Sequence, residues 1–333
     1  MKIHKRPPIE CVDKDGVERV YIDGEERRYF KSANGYTLYD DAYTPPCRSL
    51  EEAVEQCVDG IPEPTIPPRS DRVRVDFLDL KDDQRDRLAD GLNALYASGR
   101  YPLYPDSHEA GWFNIHRGPA FLPWHRWYVL TLEEELRAID SEITVPYWDW
   151  TKDGARDLDA EPWKSFFGGR DNAGGKFDHW GYVRAASPGG TVLPSLDSII
   201  DELQRTTYVG YRGEEFGSHV PAHPWTGEDM SSPRSPSDPL FFLHHCMVDR
   251  LWAIWQINHT TVPQYTVDNL PSYPVYPATF VPETDLMFSG VLGSPTTPGS
   301  MLDHSALGYS YPKDERLEDR VIARGLPPIL TTL

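Results

Sequence analysis

The sequence predicts a mainly α protein with extensive loops and a few short β pieces. Two observations carry this. Apolar residues recur at helical spacing in four separate stretches, and the intervals between them are long and rich in proline and glycine turns, with β-like pieces falling mainly in the first 70 residues.

Residues 1–70 read as an irregular arm packed on the main body. They hold short pieces such as Arg19-Val20-Tyr21-Ile22, turn signals at Asp15-Gly16, Asp23-Gly24 and Asn34-Gly35, and a proline-rich exit from Ile61 to Arg69. Asp13-Lys14-Asp15-Gly16 lacks the ligand spacing of a calcium loop and is read as a plain turn. Residues 71–333 are expected to form a single catalytic domain. Its first helix follows Lys81-Asp82-Asp83, carries Leu88, Leu92, Leu95 and Tyr96, and ends near Ser98-Gly99-Arg100. A proline- and tyrosine-rich loop is expected to lead to His108. The second helix opens at Leu122-Pro123-Trp124-His125, where Pro123 suits a first turn. Ile143 to Trp150 reads as extended, and 151–193 as a long surface excursion. A third helix is expected over Ser195 to Thr206 and a fourth from Pro239 to about Asn258.

Composition excludes several classes. No stretch approaches the ~20 consecutive apolar residues of a membrane-spanning helix, so no membrane partner is expected. A formal charge of −19 speaks against nucleic acid. The basic N-terminus has no apolar stretch behind it and is not an export signal, which implies a cytoplasmic protein or a mature form without its leader. The four cysteines, Cys11, Cys47, Cys57 and Cys246, form no Cys-x-x-Cys pair. Cys246 is expected to be a buried free thiol, leaving at most one disulfide among the other three.

The fourth helix poses the chemical question. Phe241-Phe242-Leu243-His244-His245-Cys246-Met247-Val248 puts two imidazoles inside an apolar run, and a buried polar group without a partner costs about 1–3 kcal/mol. Upstream, His219 and His223 are four apart, which on a helix turns one ring only about 40° from the other. His116 and His125 are nine apart and cannot share one straight helix as ligands. Gly118-Pro119 and Pro123 break it, so that His125 opens a helix while His108 and His116 approach from a loop. Two sets of imidazoles without matching carboxylates or thiolates suit zinc, copper or iron. Periodicity does not choose between His244 and His245.

These blocks, His116, Phe121-Leu122-Pro123-Trp124-His125-Arg126, Val145-Pro146-Tyr147-Trp148-Asp149-Trp150, His219-x-x-x-His223 and Asp238-Pro239 through Leu251-Trp252, resemble the tyrosinase and polyphenol oxidase family of type-3 copper proteins, in particular its short catechol-oxidase-like members. The likeness runs in the family's order from about residue 75 to Tyr311. It implies a four-helix bundle holding two copper ions with dioxygen as co-substrate. Carried over residue by residue, His108, His116 and His125 match copper A, and His219, His223 and His245 match copper B. His244 is then expected to be a hydrogen-bonded neighbour of the ligands. Glu215 falls where related plant enzymes have a glutamate that orients a water. Asp249 and Arg126 are expected to pair, and Tyr309-x-Tyr311 resembles the tyrosine motif that closes the family's core.

The sequence also departs from the family. Members that hydroxylate monophenols often carry asparagine after the first copper B histidine, where this chain has Val220, and Asn114 stands where many fungal members have a cross-linked cysteine. Only 22 residues follow Tyr311, too few for the shielding domain of many family zymogens, which implies an open site or one covered by the N-terminal arm or a partner. The resemblance therefore implies oxidation of o-diphenols, small phenolic substrates, to o-quinones. Its alternatives are ortho-hydroxylation of monophenols, oxidation of o-aminophenols and, more distantly, hemocyanin-like oxygen carriage.

Overall fold

The computed structural model describes residues 72–152, 156–184, 191–268, 276–293 and 295–332, together with the backbone of four strands between Cys11 and Leu38. The chain divides into two units, Met1–Pro68 with Ser289–Pro295, and Arg69–Phe288 with Thr296–Leu333.

In the first unit the strands β1 (Cys11–Val12), β2 (Val17–Ile22), β3 (Glu25–Ser32) and β4 (Gly35–Leu38) form an antiparallel meander in the order β1-β2-β3-β4. Register runs from Val17 opposite Phe30 to Ser32 opposite Gly35. The links contain Asp15-Gly16, Asp23-Gly24 and Asn34, residue types that favour tight hairpins. The expected β-like piece Arg19-Val20-Tyr21-Ile22 lies within β2, and each strand pairs antiparallel with the next. The packing of this arm and the side chains of Cys11, Cys47 and Cys57 lie outside the described residues.

The second unit is helical. Its only described sheet pairs β5 (Arg72–Val73) with β6 (Tyr309–Ser310) in parallel. Helix α1 (Asp82–Ala97) is closed at its start by the Lys81 N–H donating to Gln84 Oε1 at 3.0 Å. It buries Leu88, Leu92 and Leu95. Helix α2 (Leu103–Ile115) follows after a short turn. This corrects the expected loop before His108: Pro102 and Pro105 stand at the start of α2, where proline is tolerated, and do not break it. Helix α3 (Phe121–Ile139) has Pro123 in its first turn and packs against the equally long α8 (Leu240–Asn258). Every residue of α8 from Leu240 to Gln256 is buried, as expected of a helix that is apolar all round. Its start is fixed by Asp238, which accepts from the Leu240 N–H at 2.9 Å and pairs with buried Arg184.

Residues between α3 and α8 form shorter pieces: α4 (Trp163–Phe167), α5 (Leu196–Leu203), α6 (Tyr208–Tyr211) and α7 (Ala222–Thr226). The 151–193 excursion is only partly superficial. Trp163 and Phe166 meet Phe77 at ring separations of 4.4 and 5.0 Å, and Phe177 and Trp180 extend the cluster. Its aromatics lack helical or strand period because turns present them to the core one at a time. Helix α9 (Glu315–Ala323) returns to α5 through Arg320 on Asp197 and Arg324 on Asp201. No helix is long and apolar enough to cross a membrane among the described residues.

Candidate metal centre

The six expected ligands stand on four pieces of chain. His108 projects from the middle of α2 and His116 caps its C-terminus, so of these two only His116 comes from a non-helical position. His125 lies in the first turns of α3 and His245 in those of α8. His219 precedes α7 and His223 lies within it, with Pro221 at the N-cap, so the proline between them interrupts no helix.

Two groups of histidines result. His108, His116 and His125 bring ligand atoms within 4.8 Å of one another, and so do His219, His223, His244 and His245. The groups face each other: the His125 and His245 rings are nearly parallel at a centroid separation of 4.2 Å, and His116 lies 6.5 Å from His219.

Five of the rings are held in the same way. Nδ1 lies against a backbone carbonyl: Pro233 O for His108 (2.6 Å), Trp112 O for His116 (3.3 Å), Phe121 O for His125 (2.9 Å), Glu215 O for His219 (3.0 Å) and Met230 O for His223 (2.6 Å). A carbonyl only accepts, so each Nδ1 carries the hydrogen and each Nε2 presents a lone pair. The Nε2 atoms of His108 and His125 and both nitrogens of His245 are buried without a hydrogen-bond partner. Burial lowers the pKa of every one of these rings, to about 3 for His108 and about 4 for His223, which keeps the imidazoles neutral. Neutral rings with outward Nδ1–H bonds and inward lone pairs are a fitting donor set for copper, zinc or iron.

His244 departs from expectation. Both of its nitrogens are buried without a hydrogen-bond partner, so it is not a hydrogen-bonded neighbour. Its nitrogens bond only in the plane of the ring and meet no partner there among the described residues, while the ring itself stacks on His219 at 5.1 Å and meets Trp150 at 4.9 Å. Unlike His245, it has no ring contact with the first set among the described residues.

Glu215 is buried, not an exposed acid, and links His219 to the backbone that follows His116. Its carbonyl holds His219, while its carboxylate Oε1 accepts from the Arg117 N–H, the residue after His116, at 2.6 Å. Burial raises its pKa to about 8 against the opposing effect of that N–H and of the Arg212 and Arg117 charges. Val220 is 40% exposed beside it and offers no side-chain hydrogen bond.

Behind the rings lies a buried charge network. Arg126 Nε donates to Asp249 Oδ1 at 2.5 Å, as expected, and the other carboxylate oxygen accepts from Tyr309 (2.8 Å), Tyr311 (2.5 Å) and Arg74 (3.1 Å). Arg126 follows His125 and Asp249 stands four after His245, so the pair ties together the two helices that carry these rings. Sequence reasoning missed Arg74 and Glu133, which pair at 2.8 Å. It also missed the carbonyls of Pro233 and Met230. None lies in a periodic pattern that marks it. Cys246 is a buried free thiol against Val145 O, its pKa raised by burial to about 12.

Residues 92–187 and 194–258 match the common central domain of tyrosinase. The chain is 31% identical over 289 residues to the tyrosinase of Streptomyces glaucescens, covering 73% of this chain and 99% of that one. It is 30% identical over 278 residues to the tyrosinase of Streptomyces antibioticus, covering 70% and 97%. The fold is shared with a polyphenol oxidase from Thermothelomyces thermophila, with a TM-score of 0.54, 17% identity and coverage of 79% of this chain and 92% of that one. Near-complete coverage of the Streptomyces enzymes, together with two facing sets of neutral imidazoles, establishes that the chain belongs to the tyrosinase family of type-3 copper phenol oxidases.

Proposed function

We propose that the chain oxidises o-diphenols to o-quinones with dioxygen at two copper ions, one held by His108, His116 and His125 and the other by His219, His223 and His245. The observation that carries the reading is the facing of the two sets, with His125 stacked on His245 at 4.2 Å. Two-electron exchange between phenol and dioxygen is the chemistry that such a copper pair supplies when bound. His245 is favoured over His244 as the third ligand of the second set because it alone of the two rings reaches toward His125.

The residues around the sets divide the remaining tasks. Five backbone carbonyls fix the rings by their Nδ1–H groups, so that little reorganisation accompanies binding of metal or substrate. Phe121 and Phe241, at 4.6 Å from His125 and 4.1 Å from His245, keep water from that side. Glu215 takes the phenol proton, directly or through a water. Its raised pKa makes it a stronger base than an exposed carboxylate once ionised. Val220 offers no amide to hold a water beside Glu215, which favours diphenols over monophenols.

Ortho-hydroxylation of monophenols is the second reading, supported by the tyrosinase relatives. One assay separates the two. The copper-loaded protein is offered 4-methylcatechol and 4-methylphenol, and quinone formation is followed by absorbance. Turnover of the catechol alone fits the first reading, turnover of both the second, and turnover of neither rejects phenol oxidation.

A further inference from the structure

We propose that Trp112 is a positioning residue of the first histidine set, its indole being the ledge on which the His116 ring is turned back toward His108. The inference rests on the reading of His108, His116 and His125 as one ligand set and adds the residue that shapes it.

His108, Trp112 and His116 stand at intervals of four along α2 and its C-cap, which puts all three along one side of the helix. Eight residues of helix advance about 12 Å, too far for two imidazoles that project in the same direction to share a metal. Yet the His108 and His116 rings are 4.9 Å apart. Closing that gap falls to His116, which leaves the helix with extended backbone at φ −120° and ψ 160°. Its Nδ1 reaches back to the Trp112 carbonyl, so the ring lies over the residue between the two ligands. There the indole receives it, with ring centres 4.0 Å apart and planes inclined by 35°, while the same indole meets His108 edge-to-face at 5.6 Å.

His116 also has the least else to hold it. Its Nδ1–H bond of 3.3 Å is the longest of the five to backbone carbonyls. The next residue, Arg117, turns the chain away with φ of 57°. Apart from its fellow ligands, the ring nearest to His116 after Trp112 among the described residues is Phe121, at 5.9 Å. His125 and His245 are better supported, since each stands within a long helix and leans on a phenylalanine at 4.6 and 4.1 Å. Trp112 therefore holds His116 twice, by its carbonyl and by its ring. The ledge is itself seated: the preceding Gly111 lets α2 approach Phe288 so closely that a Cβ would overlap that ring, which fixes the roll of this part of the helix.

The test uses the full chain with one set disabled at a time, His223→Ala to leave the first set intact and His125→Ala to leave the second. Affinity for copper(I) is read by competition with bicinchoninate. Trp112→Leu keeps the helix and the carbonyl but removes the aromatic face. We expect it to weaken binding about tenfold in the His223→Ala background. Trp112→Phe should restore most of that loss, and neither variant should alter binding in the His125→Ala background. Unchanged affinity in the first background, or no recovery with phenylalanine, overturns the inference. So does an equal loss in both backgrounds, which is what a merely structural tryptophan would give. Undiminished affinity of His116→Ala in the His223→Ala background rejects His116 as a ligand instead. If circular dichroism shows Trp112→Leu unfolded, Trp112→Met takes its place in the same comparison. A second measurement needs no metal: NMR of the metal-free protein with nitrogen-15 in its histidine rings. The wild-type His116 ring should show one tautomer with its hydrogen on Nδ1, and Trp112→Leu an averaging of the two nitrogen shifts. A single tautomer in both proteins overturns the inference.

Discussion

The Nε2 atoms of His219 and His223 stand 3.0 Å apart, with each ring's Nδ1–H already bonded to a backbone carbonyl. Two lone pairs turned on each other at that distance repel, and a metal ion beside them that takes both as ligands relieves this. The wild-type chain is therefore expected to bind two equivalents of copper, and His223→Ala or His125→Ala about one, measured by elemental analysis after removal of loose metal. His245→Ala is expected to lose one equivalent, while His244→Phe keeps both. Two equivalents in His245→Ala with one in His244→Phe would exchange the roles of these neighbours.

Glu215 gives the second prediction. Burial raises its pKa to about 8, so the ionised form needed to accept a proton grows as pH rises toward that value. Activity on a catechol should therefore climb with pH on a limb set by this group. Glu215→Gln should remove the limb and lower kcat by about 10²–10⁴-fold. The amide oxygen still accepts from the Arg117 and Gly118 N–H groups, so the clamp on that turn survives. A pH profile of kcat/KM in wild type and variant that stays parallel would exclude Glu215 as the base.

How much of this was legible in the sequence depends on the reach of each interaction. The long helices α3 and α8 were visible because their apolar residues recur locally and Pro123 and Pro239 mark their starts. The α2 helix was hidden by Pro102 and Pro105, which read as loop signals although proline is harmless in a first turn. Residue types and spacing pointed to the histidines. What set their rings did not: the carbonyl of Pro233 reaches His108 across 125 residues, and Arg74 reaches Asp249 across 175. The orphan state of His244 was equally hidden, because it depends on which side of α8 meets Trp150.

Val220 gives the third prediction. Its N–H donates to Glu215 O at 3.1 Å, and its side chain is 40% exposed directly after His219. An asparagine there would place an amide beside the Glu215 carboxylate and let the two hold one water. Val220→Asn is expected to raise the ratio of monophenol to diphenol turnover severalfold while leaving copper content unchanged. Quinone formation from 4-methylphenol against 4-methylcatechol measures it. No change in the ratio would show that discrimination lies elsewhere in the pocket.

The last prediction concerns the network that ties α3 to α8. Burial opposes the charge of Asp249, but Arg126 and Arg74 outweigh it and hold its pKa below the usual carboxylate range. A carboxylate whose folded pKa is depressed contributes stability above its unfolded pKa and loses it as pH falls through the folded value. The wild type should therefore lose stability on acidification from about pH 4 downward. Asp249→Asn removes the charge but keeps the shape. It leaves Arg126 with only Gln256 and backbone carbonyls, and Arg74 with Glu133 as its remaining carboxylate. Leaving one partner of a buried ion pair uncompensated costs about 3–5 kcal/mol. Urea denaturation of the metal-free proteins should show that loss at neutral pH and a smaller difference in acid. Because Arg126 adjoins His125 and Asp249 stands one helical turn beyond His245, the variant should also bind copper more weakly at an unchanged stoichiometry. Full stability at neutral pH would mean that the helices are held by their apolar packing alone, and the network would then have no part in positioning the two rings.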